Sequence, residues 1–199
     1  MKNNIFNISL ICIFLLTSVS LSDIKLIKIA IVNDKIITNV DLLKEMKLIK
    51  ILNNLDSSNN DINLKNFALD NLINEIVKEE ELKKNEIKID KKIADQHYKK
   101  LIYELKSKNF NISKQIDEEI YKKILLDYKW NTLISDKFRW KINININEID
   151  EKLKNSNNDE NKIISLRNEM INKEKNKKLE IYSLNYLATL KKNSLIKFF

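Results

Sequence analysis

The amino-acid sequence predicts a mainly α-helical protein that opens with a small β-hairpin. Three observations carry this. Apolar residues recur at the i, i+3, i+4 spacing of a buried helix stripe, most clearly at Ala68, Leu69, Leu72, Ile73, Ile76 and Val77. Residues able to cap a helix stand before such stretches, at Thr38, Asp90 and Ser113. One segment departs from helical spacing: an apolar run, Ile29 to Val32, meets the turn-prone pair Asn33-Asp34 and then Ile36-Ile37.

The elements follow in order. Ile29 to Val32 and Ile36-Ile37 read as two strands around a tight turn. Thr38 then caps a helix, with Asp41 three residues on, where a carboxylate suits the positive helix N-terminus. This helix runs through Leu52, and Asn53 to Asn63, rich in Asn, Asp and Ser, reads as a loop. The Ala68–Val77 stripe defines the next helix. Its end, Glu79-Glu80-Glu81 followed by Lys83-Lys84, reads as a solvated face with charges paired at three and four residues. Asp90 caps a third helix through Lys108, carrying Ile93, Ala94, His97, Leu101, Ile102 and Leu105. Ser113 caps a fourth, with Ile116, Ile120, Ile124 and Leu125 as its stripe, leading into Trp130. Asn147 fits a further cap, with Asp150 three residues on. After a polar break at 155–161, a long helix from about Asp159 reaches Lys192.

Residues 1–22 read as a secretory signal. Lys2 is their only charged side chain, Ile5 to Val19 is an apolar stretch interrupted by Asn7, Ser9 and Thr17-Ser18, and Ser20 and Ser22 set cleavage before Asp23, with an uncleaved membrane anchor as the alternative. The single cysteine, Cys12, lies inside this segment. Cleavage leaves a chain with no thiol, hence no disulfide, thiolate metal site or cysteine nucleophile, which suits an oxidising compartment. The remaining chain, about 177 residues, is long enough for one medium domain that buries roughly 70% of its extended surface.

Composition excludes more than it identifies. The chain contains no glycine and no proline. No Walker loop, dinucleotide-binding glycine fingerprint or nucleophile elbow can therefore exist. Asn, Lys and Ile are abundant, as an AT-rich genome would produce, so the net charge of +8 says little about a nucleic-acid partner. Of 36 basic residues only Arg139 and Arg167 are arginine, the usual reader of phosphates and bases.

The segment Ile29-Ala-Ile-Val-Asn-Asp-Lys-Ile-Ile-Thr-Asn-Val-Asp41, directly after the signal, resembles the opening of SurA-type periplasmic chaperones. Ala68-Leu-Asp-Asn-Leu-Ile-Asn-Glu75 is similar to a second segment of that family at the expected distance. Trp130-Asn-Thr-Leu133-Ile134 is similar to a third, although the glycine that precedes it in the family is missing. The end, Asn185 to Phe199, resembles the family's C-terminal helix running into a short strand. Because Leu195, Ile196, Phe198 and Phe199 are apolar, this strand is expected to pair with the N-terminal hairpin and close the domain. The resemblance implies a chaperone module over 23–154 and a C-terminal helix and strand over 155–199 that pack back on it. The parvulin-type isomerase domain of the family has no room, since only the polar break at 155–161 stands between Lys154 and the apolar stripe of the last helix.

The expectation from this resemblance is an ATP-independent periplasmic chaperone. It would bind unfolded outer-membrane proteins in an apolar groove, without cofactor, metal or enzymatic activity. An anionic membrane surface is a further possible partner, and nucleic acid is not expected. The alternatives are a basic adaptor at the membrane surface or in an assembly, which has lost client binding, and a degenerate prolyl isomerase. No client-binding residue can be assigned, because core and groove apolar residues look alike. His97 lacks a carboxylate at helical spacing and reads as a helix-face histidine. Glu79 to Glu81, being consecutive, point in different directions around their helix. Trp130, Phe138 and Trp140 interleave with Lys137, Arg139 and Lys141, as on a single-strand nucleic-acid surface, but read as core or client groove. Asn111-Ile-Ser113 matches the glycosylation pattern by accident of an Asn-rich composition.

Overall fold

In the computed structural model, residues 25–53, 55, 62–154 and 160–199 are described, those at 160 and 161 by backbone alone. The proposed signal, the centre of the loop at 53–63 and the polar break at 155–159 lie outside the described residues.

Strands β1 (Lys28–Val32) and β2 (Lys35–Thr38) form the expected antiparallel hairpin, with Ala30 opposite Ile37 and Val32 opposite Lys35. The turn requires left-handed backbone at Asn33 (φ 51°), which glycine usually supplies. Asparagine tolerates it because its short side chain is tied on both sides. Its Nδ2 donates to Glu80 at 2.6 Å, and its Oδ1 accepts from the backbone N–H of Leu195 at 2.8 Å. The other edge of β1 pairs with β3 (Ile196–Phe198), Ala30 opposite Phe198 and Val32 opposite Ile196. The sheet order is β2-β1-β3, so the two ends of the described chain close together as expected. Ala30 and Val32 on the central strand are fully buried.

Six helices follow among the described residues: α1 (Asn39–Leu52), α2 (Ile62–Asn85), α3 (Lys91–Ser107), α4 (Lys114–Phe138), α5 (Ile146–Lys154) and α6 (Glu160–Lys192). Thr38 and Asp41 make a full capping box. The Asp41 N–H donates to Thr38 Oγ1 at 3.2 Å and the Thr38 N–H to Asp41 Oδ2 at 2.9 Å. Asp90 and Ser113 cap α3 and α4 as read from sequence. With no glycine available, α3 ends on Asn109 (φ 61°). The Asn109 N–H donates to Lys106 and the Phe110 N–H to Leu105, the paired bonds of a Schellman ending. Glu86 performs the same left-handed step after α2 (φ 49°).

Helix α6 links two clusters of the core. Leu187 and Leu190 of α6 pack on the sheet beside Ile73 and Val77 of α2. Leu187 and Leu190 also join Leu179 and Tyr186 of the same helix around Trp130, Leu133 and Ile134 of α4. A further cluster joins Leu48 and Ile51 of α1 to Ala94, Ile102 and Leu105 of α3 and to Ile116, Ile120 and Ile124 of α4.

The structure departs from the sequence expectations at the α5 cap, at Glu81, in the C-terminal tail and at Ile93. The cap of α5 is Asn145, whose Oδ1 accepts from the Glu148 N–H at 3.4 Å, two residues before Asn147. Asp150 therefore lies beyond the first turn of α5, where Glu148 is the acidic residue, and Arg167 of α6 donates to it twice, at 2.5 and 3.1 Å. Glu81 is buried rather than solvated, because α6 crosses that end of α2 and its Tyr186 donates to the carboxylate. Of the terminal apolar residues only Ile196 docks on the core. Leu195, Phe198 and Phe199 remain 72, 61 and 61% exposed, since β3 is an edge strand with nothing outside it among the described residues. On α3, Ile93 is likewise exposed, because Ala94, about 100° further round the helix, takes the inward position.

Candidate binding cleft

Strand β2, helices α1 and α2 and the first turns of α4 surround a cleft of about 430 Å³. Its floor is apolar: Ile37, Leu48 and Ile116 are buried, Leu72 and Ile76 half-buried. Ile36 stands at the mouth, 53% exposed. Around this floor runs a rim of both charges. Lys35 of β2 pairs with Glu79 of α2 at 2.7 Å, and Lys122 of α4 reaches the same carboxylate at 3.9 Å.

The wall opposite is held by Lys123 of α4. Its ammonium pairs with Glu45 of α1 at 2.8 Å and with Glu75 of α2. Glu45 is 5% exposed and also accepts from Asn71 Nδ2 at 3.3 Å. A carboxylate this deep needs a cation and hydrogen bonds to offset its desolvation. Lys123 therefore pins three helices at one point of the cleft wall. Lys44 and Lys47 on α1 also line the cleft, exposed and without an ion-pair partner among the described residues. Such a site offers apolar burial at the bottom and interchangeable ion pairs at the edge. It fits an extended chain with apolar side chains and mixed charge.

The sequence carries a signal for this wall that helix periodicity alone does not single out. Leu42, Glu45 and Ile49 share one helix face at spacings of three and four, and Ile120 and Lys123 share another. A charged residue inside an apolar stripe, met by an opposite charge in another stripe, marks a buried pair.

Of the other candidates, Glu79 and Ser113 border the cleft and the rest lie outside it. His97 is exposed, and its ring meets Tyr128 edge-on at 6.0 Å. Glu79, Glu80 and Glu81 diverge, to the cleft rim, to Asn33 and to Tyr186 respectively. The aromatic–basic run divides in two. Trp130 is a core residue, 2% exposed, donating its indole N–H to Ser183 Oγ at 2.8 Å and stacking on Tyr186. Trp140 is 74% exposed on the 3-10 turn Arg139–Lys141. Ser113 of the Asn111-Ile-Ser113 triplet serves as the α4 cap. Between α3 and α4, a hydrogen bond to Asp117 together with burial pushes the Tyr98 hydroxyl up to about 12. Tyr121 is pushed up by its bond to Asp95. Both phenols stay protonated near neutrality and act as cross-links between helices.

Among the described residues no three His, Cys, Asp or Glu side chains group as a metal site, and no helix is long and apolar enough to cross a membrane. No protein-family model and no curated protein matches the chain.

Proposed function

We propose that the chain is an ATP-independent chaperone of the periplasm that holds unfolded outer-membrane proteins in the cleft between β2, α1, α2 and α4. The observation that carries this is the apolar floor beneath a rim of both charges. The resemblance of the β1–β2–α1 and α2 segments, which form most of the cleft, to SurA-type chaperones supports the same reading.

The energetics suit holding rather than tight capture. Seating one Leu or Phe on the floor contributes about 1.5–3 kcal/mol. That alone falls short of the roughly 4 kcal/mol of a millimolar complex. Several such contacts along a client give useful affinity with fast exchange, so release needs no nucleotide. The absence of every glycine-dependent phosphate loop agrees with this. Lys44 and Lys47 attract acidic residues that flank apolar client segments.

The test is light scattering of an unfolded outer-membrane barrel diluted from urea. Suppression of aggregation at near-stoichiometric ratios without ATP is the expected result. No suppression at large excess, by protein shown to be folded, refutes the proposal. Proline-peptide isomerisation above background would instead favour the degenerate isomerase.

A further inference from the structure

At the far end of α4, roughly 22 Å from Lys123 along the helix, the chain makes the 3-10 turn Arg139–Lys141. Here Trp140, 74% exposed, stands among Lys137, Arg139 and Lys141, all exposed. None of the three cations is ion-paired with a carboxylate among the described residues. Lys178 of α6 adds a fourth charge, donating to the Asn143 carbonyl. Asp136 is the one acidic residue in the run from 136 to 141.

The geometry of Trp140 is specific. Its indole N–H is already satisfied by the Lys137 carbonyl at 2.9 Å, so moving the ring out of water strands no donor. Lys141 lies over the ring, 4.9 Å from its centre, and also 5.6 Å from that of Phe138. Phe138 is itself stacked on Tyr182 at 5.1 Å, and the Tyr182 hydroxyl donates to the Lys141 carbonyl at 3.4 Å. The turn is thus held firmly on α6 and presents the Trp140 ring with Lys141 over it, while the Lys137 ammonium lies 4.7 Å from the centre of the Tyr186 ring.

From this we infer that the turn is a membrane-contact site: Trp140 enters the headgroup layer of an anionic bilayer while Lys137, Arg139 and Lys141 bind lipid phosphates. Complementary charge and a lone amphipathic ring on an exposed turn are the chemistry of interfacial anchoring. A nucleic-acid strand fits less well. Phe138 is used up against Tyr182, and Lys141 covers a face of Trp140 where a base would stack. The inference does not rest on client holding, since it uses other residues at the other end of α4.

The experiment follows Trp140 fluorescence in the full chain as recovered from cells, titrated with vesicles of equal parts phosphatidylcholine and phosphatidylglycerol. A blue shift and quenching by brominated acyl chains are expected, both absent in Trp140→Phe, which leaves the buried Trp130 as the silent reporter. Removing all three cations as Lys137→Gln, Arg139→Gln and Lys141→Gln should raise the lipid midpoint of the shift about a hundredfold, near fivefold per cation. An equal shift with phosphatidylcholine alone, or an unchanged midpoint in the triple variant with native circular dichroism, overturns the inference. So does a Trp140 response to single-stranded oligonucleotide but not to anionic vesicles.

Discussion

Replacing Lys123 with Met tests the packing of the cleft wall. The substitution keeps the length of the aliphatic stem but leaves Glu45 and Glu75 facing each other without their shared cation. Breaking a fully buried ion pair by removing one partner costs about 3–5 kcal/mol. Here water reaches part of the group, since the Lys123 and Glu75 side chains are 19 and 26% exposed while Glu45 is 5%. The expected loss is therefore nearer about 2–3 kcal/mol. In urea, with a slope of about 2 kcal/mol per molar, the midpoint falls by about 1–1.5 M. The thermal midpoint falls by about 5–10 °C. Lys122→Met is the control, because Lys122 meets Glu79 at 3.9 Å with its side chain 64% exposed, and should cost less than about 0.5 kcal/mol. Adding Glu45→Leu to Lys123→Met should recover more than half of the loss by removing the stranded carboxylate. Urea unfolding by circular dichroism reads all of these. If Lys123→Met behaves like Lys122→Met, or if the Glu45→Leu cost simply adds, the wall is not organised around this charge.

Three other substitutions have expected outcomes. Glu86→Gly should stabilise by about 0.5–1 kcal/mol, since glycine takes a left-handed φ without the steric cost. Asn33→Gly should destabilise despite the same φ, because its bonds to Glu80 and Leu195, worth about 1 kcal/mol each, are lost. The Arg167 guanidinium holds the Asp150 carboxyl below its ordinary 3.8. A carboxyl depressed in the folded state contributes stability above its unfolded value and loses it as pH falls through the folded one. The α5–α6 contact should therefore loosen only below about pH 4. In Arg167→Gln the Asp150 carboxyl resonance should titrate closer to 3.8, and an unmoved titration would contradict the pairing.

Much of the fold was legible because local rules agreed with one another. Thr38, Asp90 and Ser113 announce their helices, and the hairpin follows from Asn33-Asp34 between apolar pairs. Errors arose where a distant element changed a local environment. Glu81 looks like a solvated helix end until α6 covers it; Asp150 looks like a first-turn residue, but α5 is capped two residues earlier, by Asn145, and Asp150 meets Arg167 of another helix. The apolar tail suggests burial, yet an edge strand with one docked residue leaves Phe198 and Phe199 in solvent. Within the aromatic–basic run, Trp130 and Trp140 are ten residues apart with opposite exposures, a difference that spacing alone does not encode.

Client contact inside the cleft is the central claim, and site-specific photo-cross-linking tests it most directly. A photoreactive residue replacing Ile36, half-exposed at the cleft mouth, should cross-link to an unfolded outer-membrane barrel released from urea. The same residue replacing Tyr103, 75% exposed on α3 and outside the cleft, should give little adduct. Equal yields from both positions, or adducts from Tyr103 alone in folded protein, would contradict the account.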